Sequence, residues 1–279
     1  MSEKTGIFLH GLAVFVVTLG LAVLAARVVG AQGGYAPDDF IAVPYFLALF
    51  LIATLGLILV LKLSKTGWPL QILFVLAVLL GAVALFDVFL PPPWGFLAGA
   101  LAALMYYRRH SVLTANLGLA LALSGLAGVV ASGLRPTAVV VIFTVLAFYD
   151  IVAVYVTGHM VRMFRGLSER GVQMAFVLVP PFAKASGDKS PLMKAPGDGT
   201  IGKAFYLGTG DVALPAILAA SAVRQGLIHG LAAALGALVG YVLLIWLFFG
   251  QGRRRPMPAL PPIAFGCIGF YLISLLIWP

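Results

Sequence analysis

The 279-residue sequence contains one cysteine, Cys267, so no disulfide framework can form within the chain. That thiol lies in an apolar run and reads as packing. Charge is almost as scarce: Asp, Glu, Lys and Arg make up 10% of the residues against 62% hydrophobic ones, which excludes a soluble globular domain. There is no HExxH, and the four histidines, His10, His110, His159 and His229, stand apart near predicted helix ends, where they read as interfacial. A zinc hydrolase is therefore excluded, and neither a metal nor another cofactor is expected. A serine nucleophile elbow needs Gly-x-Ser-x-Gly, which "GLSER" at 166–170 does not supply.

Long apolar runs are what the chain has in abundance. Runs near 20 residues predict nine membrane helices, at about 7–29, 41–63, 69–90, 94–107, 112–133, 136–158, 201–223, 229–250 and 258–278. The first run follows Lys4 and superficially imitates a signal peptide, but it reaches about Ala26 and reads as a retained span. Connections are short except for 159–200, which is polar and mixed. The expected fold is thus an all-α polytopic membrane protein with one integrated membrane domain. It comprises a six-helix part (1–158), a cytoplasmic loop (159–200) and a three-helix part (201–279).

Charge placement supports that count. With a cytoplasmic N-terminus, helix alternation puts 15 of the 18 Lys and Arg residues inside and only Arg27, Arg135 and Arg224 outside. Short cytoplasmic loops favour Lys and Arg, and one missed helix would scramble the pattern. The C-terminus is then outside. The net charge of +9 reads as topology and attraction to anionic lipid rather than nucleic-acid binding, because no RNA- or DNA-binding motif accompanies it. The Ala/Leu/Gly-rich, short-looped build points to a prokaryotic cell membrane.

Of the nine acids, six lie in the N-terminal tail or in loops. Asp87, in "LFDVFLPPP", falls near the outer end of the third helix, within reach of the interface. Only Asp150 and Asp211 are deep. A carboxylate at the bilayer centre costs roughly 2.5–3.5 kcal/mol on insertion scales, so its presence needs a reason. Counted along antiparallel helices six and seven at 1.5 Å per residue, both acids sit roughly 12–15 Å from the cytoplasmic boundary. They can face each other.

Two carboxylates a few ångströms apart in a low dielectric cannot both ionise, so they share a proton and titrate as a unit. The ionised member can take a proton from water, and the protonated member can give one to a carbonyl oxygen. That is general acid–base hydrolysis of an amide. The setting of Asp211, "LGTGDVALP", fits such a use. Pro215 denies the Asp211 carbonyl its i+4 partner, and Gly208 and Gly210 leave the helix face open to another backbone. Broken backbone at membrane depth is tolerated only where protein or a water-filled cavity covers it. "GFLAG" at 95–99 and "GALVG" at 236–240 read as packing faces only.

"FYDIVAVY", with Tyr149 and Asp150, and "LGTGD", with Gly208, Thr209, Gly210 and Asp211, resemble the YD and GxGD signatures of the presenilin and signal peptide peptidase family. The third signature, PAL, is present as Pro258, Ala259 and Leu260. "RMFRGLSER" after helix six is similar to the corresponding presenilin segment. The resemblance implies intramembrane aspartyl proteolysis by Asp150 and Asp211, on transmembrane peptide or protein substrates. It also implies that Gly208, Thr209 and Gly210 admit substrate and that Pro258, Ala259 and Leu260 shape the site. Tyr149 either orients Asp150, lines the entrance or simply packs. Because Pro258, Pro261 and Pro262 lack donors, their segment is expected to be extended or frayed. The 159–200 loop is short beside that of many presenilins, which argues against self-cleavage. Activity without obligate subunits is expected, and homo-oligomerisation stays open.

Prepilin peptidases also use GxGD, typically with a lysine two positions on, but Val212 and Ala213 follow here. The competing class is a proton- or cation-coupled transporter or channel, since intramembrane acids beside broken helices also mark carriers. No inverted repeat accompanies them in this chain.

Overall fold

The computed structural model describes residues 3–31, 42–63, 68–108, 111–156, 175–179, 205–250 and 257–278. Among these are nine α-helices: α1 Glu3–Ala31, α2 Ala42–Leu63, α3 Trp68–Phe89, α4 Trp94–Arg108, α5 Val112–Gly133, α6 Pro136–Ile151, α7 Thr209–Ala222, α8 Leu227–Gly250 and α9 Leu260–Ile277. Their ends follow local chemistry. Ser111 caps α5 through a reciprocal pair in which Ser111 Oγ accepts the Thr114 N–H and Thr114 Oγ1 accepts the Ser111 N–H, each at 3.2 Å. Pro136 starts α6 at a position where a missing N–H costs nothing. Seven spans are long and apolar enough to cross a membrane, α6 by running on to Val156, while α4 and α7, of 15 and 14 residues, are shorter. The chain is an integral multi-pass membrane protein.

Helix α7 is the hub. Nearly every residue from 211 to 222 is buried, packed by α1, α5, α6, α8 and α9. Small residues make this density possible. In "GALVG", a Cβ on Gly236 would collide with the Gly266 carbonyl, and one on Gly240 would stand 2.6 Å from Ile263 Cα. The pair therefore locks α8 against the N-terminal half of α9. "GFLAG" does the same between α4 and α3, with Gly99 against Val83. Helix α2 differs: its large side chains, including Leu49, Leu51, Ile52 and Leu55, face outward, as a lipid-facing helix requires.

Three expectations need correction. Helix seven does not begin near 201. Residues 205–208 form a strand instead, and α7 starts eight residues later than the apolar run predicts. That strand, β2 (Phe205–Gly208), pairs antiparallel with β1 (Ala175–Leu178), which lies inside the stretch read as loop. Asp211 is consequently in the first turn of its helix rather than its middle. The third correction concerns two histidines. His229 is buried and bonds Ser274 Oγ at 2.9 Å, and half-buried His10 is bonded within the fold, so neither is merely interfacial. His110, His159, most of the 159–200 loop and the Arg253–Arg255 cluster (253–255) lie outside the described residues.

Candidate active site

Asp150 and Asp211 are the two buried acids among the described residues, 5% and 6% exposed. They approach across the α6–α7 packing closely enough for their charges to act on each other directly. Each also sits at the N-terminus of a helix, where backbone N–H groups have no intrahelical partner.

For Asp211 the helix is its own. Gly208 is the N-cap of α7 and Asp211 the third residue inside, and its carboxylate turns back to accept the Gly208 N–H. This is the acidic half of a capping box. A Cβ on Gly208 would stand 2.9 Å from Asp211 Oδ2, so the glycine makes room for this chain's own carboxylate. The expected approach of another backbone is not what fills that space. Gly210, in contrast, is exposed, and a Cβ there would meet nothing within 4 Å. Thr209 starts the helix between them. Four residues past Asp211, Pro215 leaves the Asp211 carbonyl without an N–H donor in the next turn.

For Asp150 the helix is α9. Leu260 donates its N–H to Asp150 Oδ2 at 3.2 Å, and the Ala259 N–H points to the same carboxylate. Pro261 and Pro262 occupy the second and third positions of α9, so they are helical, not extended or frayed as expected. Their role in donor accounting is nonetheless clear. The four positions whose N–H groups a helix start leaves unpaired are residues 259–262, and two of them are prolines with no N–H to satisfy. The remaining two donors both serve Asp150. Only 257–259 remain outside the helix, with Pro258 buried beside the site.

Asp150 lies one residue before the end of α6, where the chain widens into a single π-helical turn, Val152–Val156. Such turns recur at functional sites because they re-aim the side chains around them. Tyr149 is half exposed and packs edge-on against Phe50 of α2, with ring centroids 6.2 Å apart. It therefore lies on the face that α2 covers. Asp87 is remote from the pair, exposed in α3 beside Gly95.

Several contributors escaped sequence reasoning. The β1–β2 hairpin runs directly into Gly208, and the run "FVLVPP", apolar and stopped by prolines, was its signal. Asn116 and His10 bond the outer edge of β1, and nothing in the sequence pairs them with residues so distant. The backbone donors of Ala259 and Leu260 are invisible in a side-chain reading.

Comparison with known proteins speaks to the family and the fold. The family model described as signal-peptide peptidase, presenilin aspartyl protease matches residues 10–278. No curated protein matches the chain. Two solved structures of a presenilin family intramembrane aspartate protease, in space groups C222 and P2, share 20% identity with it. They superpose with TM-scores of 0.66 and 0.65, covering 96% and 95% of this chain and 97% and 96% of theirs. At that identity the likeness establishes the fold. The match across nearly the whole sequence establishes the lineage: the chain belongs to the signal-peptide peptidase and presenilin family of aspartyl proteases.

Proposed function

We propose that the chain hydrolyses peptide bonds within transmembrane segments, as a GxGD-type endopeptidase with Asp150 and Asp211 as its acid–base pair. The observation that carries this reading is the convergence of the two buried acids, each held by backbone donors at a helix N-terminus. One carboxylate, ionised, takes a proton from the attacking water while the other gives its proton to the substrate carbonyl oxygen. When the tetrahedral species collapses and its C–N bond breaks, the carboxyl that gained a proton gives it to the leaving nitrogen, and the other carboxylate takes a proton back from a hydroxyl of the gem-diol. The pair thus returns to its singly protonated state.

The substrate enters over Gly210, where the chain leaves open room. Strand β2 leads directly into Asp211 and is the element on which an unwound substrate would lie as an added strand. Pro258 and Ala259 bound the opposite side beside Asp150. The N-terminus and the 159–200 loop face the cytoplasm, as the distribution of Lys and Arg implies.

The test is reconstitution of the purified chain in liposomes with a membrane-spanning peptide, with products mapped by mass. Cleavage inside the spanning segment that disappears in Asp150→Asn and in Asp211→Asn supports the reading. Ion flux without cleavage would replace it with the transport alternative.

A further inference from the structure

Strand β1 raises an accounting problem that its pairing with β2 leaves unsolved. A two-stranded sheet has two outer edges, and open sheet edges do not occur in hydrocarbon unless protein covers them. On the outer edge of β1, the Val177 N–H donates to Asn116 Oδ1 at 3.1 Å, and Asn116 Nδ2 donates to the Val177 carbonyl at 2.9 Å. One amide side chain thereby reproduces both bonds a third strand would make. Asn116 is 2% exposed, in the second turn of the mostly apolar α5.

The arrangement extends to α1. The Asn116 amide nitrogen lies 3.2 Å from His10 Nε2, and His10 Nδ1 lies 3.4 Å from the Val179 carbonyl. Only one hydrogen assignment satisfies all four contacts. Val177 N–H fixes the amide oxygen, so the amide nitrogen faces His10 Nε2 as a donor. Nε2 must then be the acceptor, and Nδ1 carries the hydrogen that goes to Val179. Two helices thus hold β1 at Val177 and the chain just past its end at Val179.

We propose that Asn116, braced by His10, is a positioning residue for the proteolytic reaction. It fixes β1, whose register with β2 sets where Gly208 lies, and the Gly208 N–H holds the Asp211 carboxylate. The route has four links: Asn116 to Val177, Val177 opposite Tyr206 in the sheet, Tyr206 along β2 to Gly208, and Gly208 to Asp211. This inference rests on the reading of Asp211 as one half of the acid–base pair. A buried amide that served packing alone would not need to match both backbone groups of a single residue.

The experiment uses full-length protein in liposomes with a transmembrane peptide, comparing wild type, Asn116→Leu, His10→Leu, His10→Gln, the Asn116→Leu/His10→Leu double variant, Asp150→Asn and Asp211→Asn. Leucine has the branched heavy-atom skeleton of asparagine, with bulkier ends, and makes none of its bonds. Rates are divided by the folded fraction measured by detergent gel filtration. A misplacement of about 1 Å at a reacting group costs on the order of 100-fold, so kcat of Asn116→Leu should fall about 10- to 100-fold with KM little changed. His10→Leu should fall less, and His10→Gln, which keeps an acceptor for the amide, should recover part of that loss. The double variant should be no worse than Asn116→Leu, because residues acting as one unit are non-additive. Wild-type kcat in folded Asn116→Leu overturns the proposal, as do additive losses in the double variant. If Asn116→Leu does not fold, His10→Leu with undiminished kcat also overturns it. Retained cleavage in Asp150→Asn or Asp211→Asn fails separately, by refuting the acid pair itself.

Discussion

The Leu260 N–H donates to the carboxylate of Asp150 at 3.2 Å, across 110 residues of sequence. This bond joins the end of α6 to the start of α9 and makes Asp150 the N-terminal cap of a helix it does not belong to. The acid is at once a chemical group and a structural one, and substitutions can separate the two.

Asp150→Asn keeps an oxygen acceptor for Leu260 and Ala259, whereas Asp150→Ala leaves both N–H groups buried without it. Both variants should lose cleavage by at least about 100-fold, since each lacks one proton-transfer role. Only the alanine variant should also lose stability, by about 1–3 kcal/mol. Thermal unfolding in detergent, run beside the cleavage assay, checks this. Equal stability of the two variants would mean that the cap contributes nothing.

A pair that shares one proton works only when singly protonated. The pH dependence of kcat/KM should therefore be bell-shaped, falling on the acid side as the second carboxyl protonates and on the alkaline side as the last proton leaves. Liposome assays across pH, with unfolding followed in parallel, test it. A profile with a single limb would show that one acid alone carries the chemistry.

The two glycines of "LGTGD" should behave differently. A methyl on Gly208 would push into Asp211 Oδ2, so Gly208→Ala should displace the carboxylate and lower kcat by about 10- to 100-fold. A methyl on Gly210 meets no atom of this chain, so Gly210→Ala should fold and melt as wild type. Any change there should appear in KM or in which bond is cut, because only substrate occupies that space. A melting shift in Gly210→Ala together with unchanged KM would remove Gly210 from the substrate path.

How much of this was legible beforehand depended on what each feature leaves in the sequence. Apolar runs of bilayer length mark helices directly, and eight of the nine helices lie within about two residues of the runs at most ends. The acids stood out because a carboxylate in such a run is costly. The start of α7 did not, since "AFYLG" is a short apolar run that periodicity cannot assign to strand or helix. That one ambiguity placed Asp211 mid-helix when it caps its own helix start. The missing N–H groups of Pro261 and Pro262 point to an extended or frayed segment, yet at the second and third helical positions they are no loss. Asn116 carries no local signal at all, because its partner strand is 61 residues away.

Topology is accessible through the lone cysteine. Cys267 is wholly buried, so wild-type protein should label poorly with a membrane-impermeant maleimide. In intact cells a Ser168→Cys variant should stay unlabelled until the membrane is opened, while a cysteine beside Pro279 should label from outside. That is the outcome the 15-to-3 distribution of Lys and Arg requires. Labelling of Ser168→Cys in intact cells would invert the orientation and, with it, the polarity of substrates worth testing.

The last prediction concerns the substrate. A membrane-spanning helix satisfies every backbone group internally, because lipid offers no partners. Its scissile carbonyl is therefore closed to a water held between Asp150 and Asp211 until the helix opens locally. The opened N–H and C=O groups need substitutes, and β2, ending at Gly208 beside the acid pair, is placed to supply them as a neighbouring strand. The 258–262 segment is not suited to that role, because 260–262 are helical and the Ala259 and Leu260 donors are committed to Asp150. Opening should then limit the rate. Gly or Pro near the cleaved bond lowers the cost of unwinding by about 1–3 kcal/mol, so such peptides should be cut faster than a uniform leucine helix at matched binding. Replacing residues in β2 by proline should blunt that difference by removing backbone donors beside the bound strand. Equal rates for leucine-only and glycine-containing helices would show that unwinding is not the slow step.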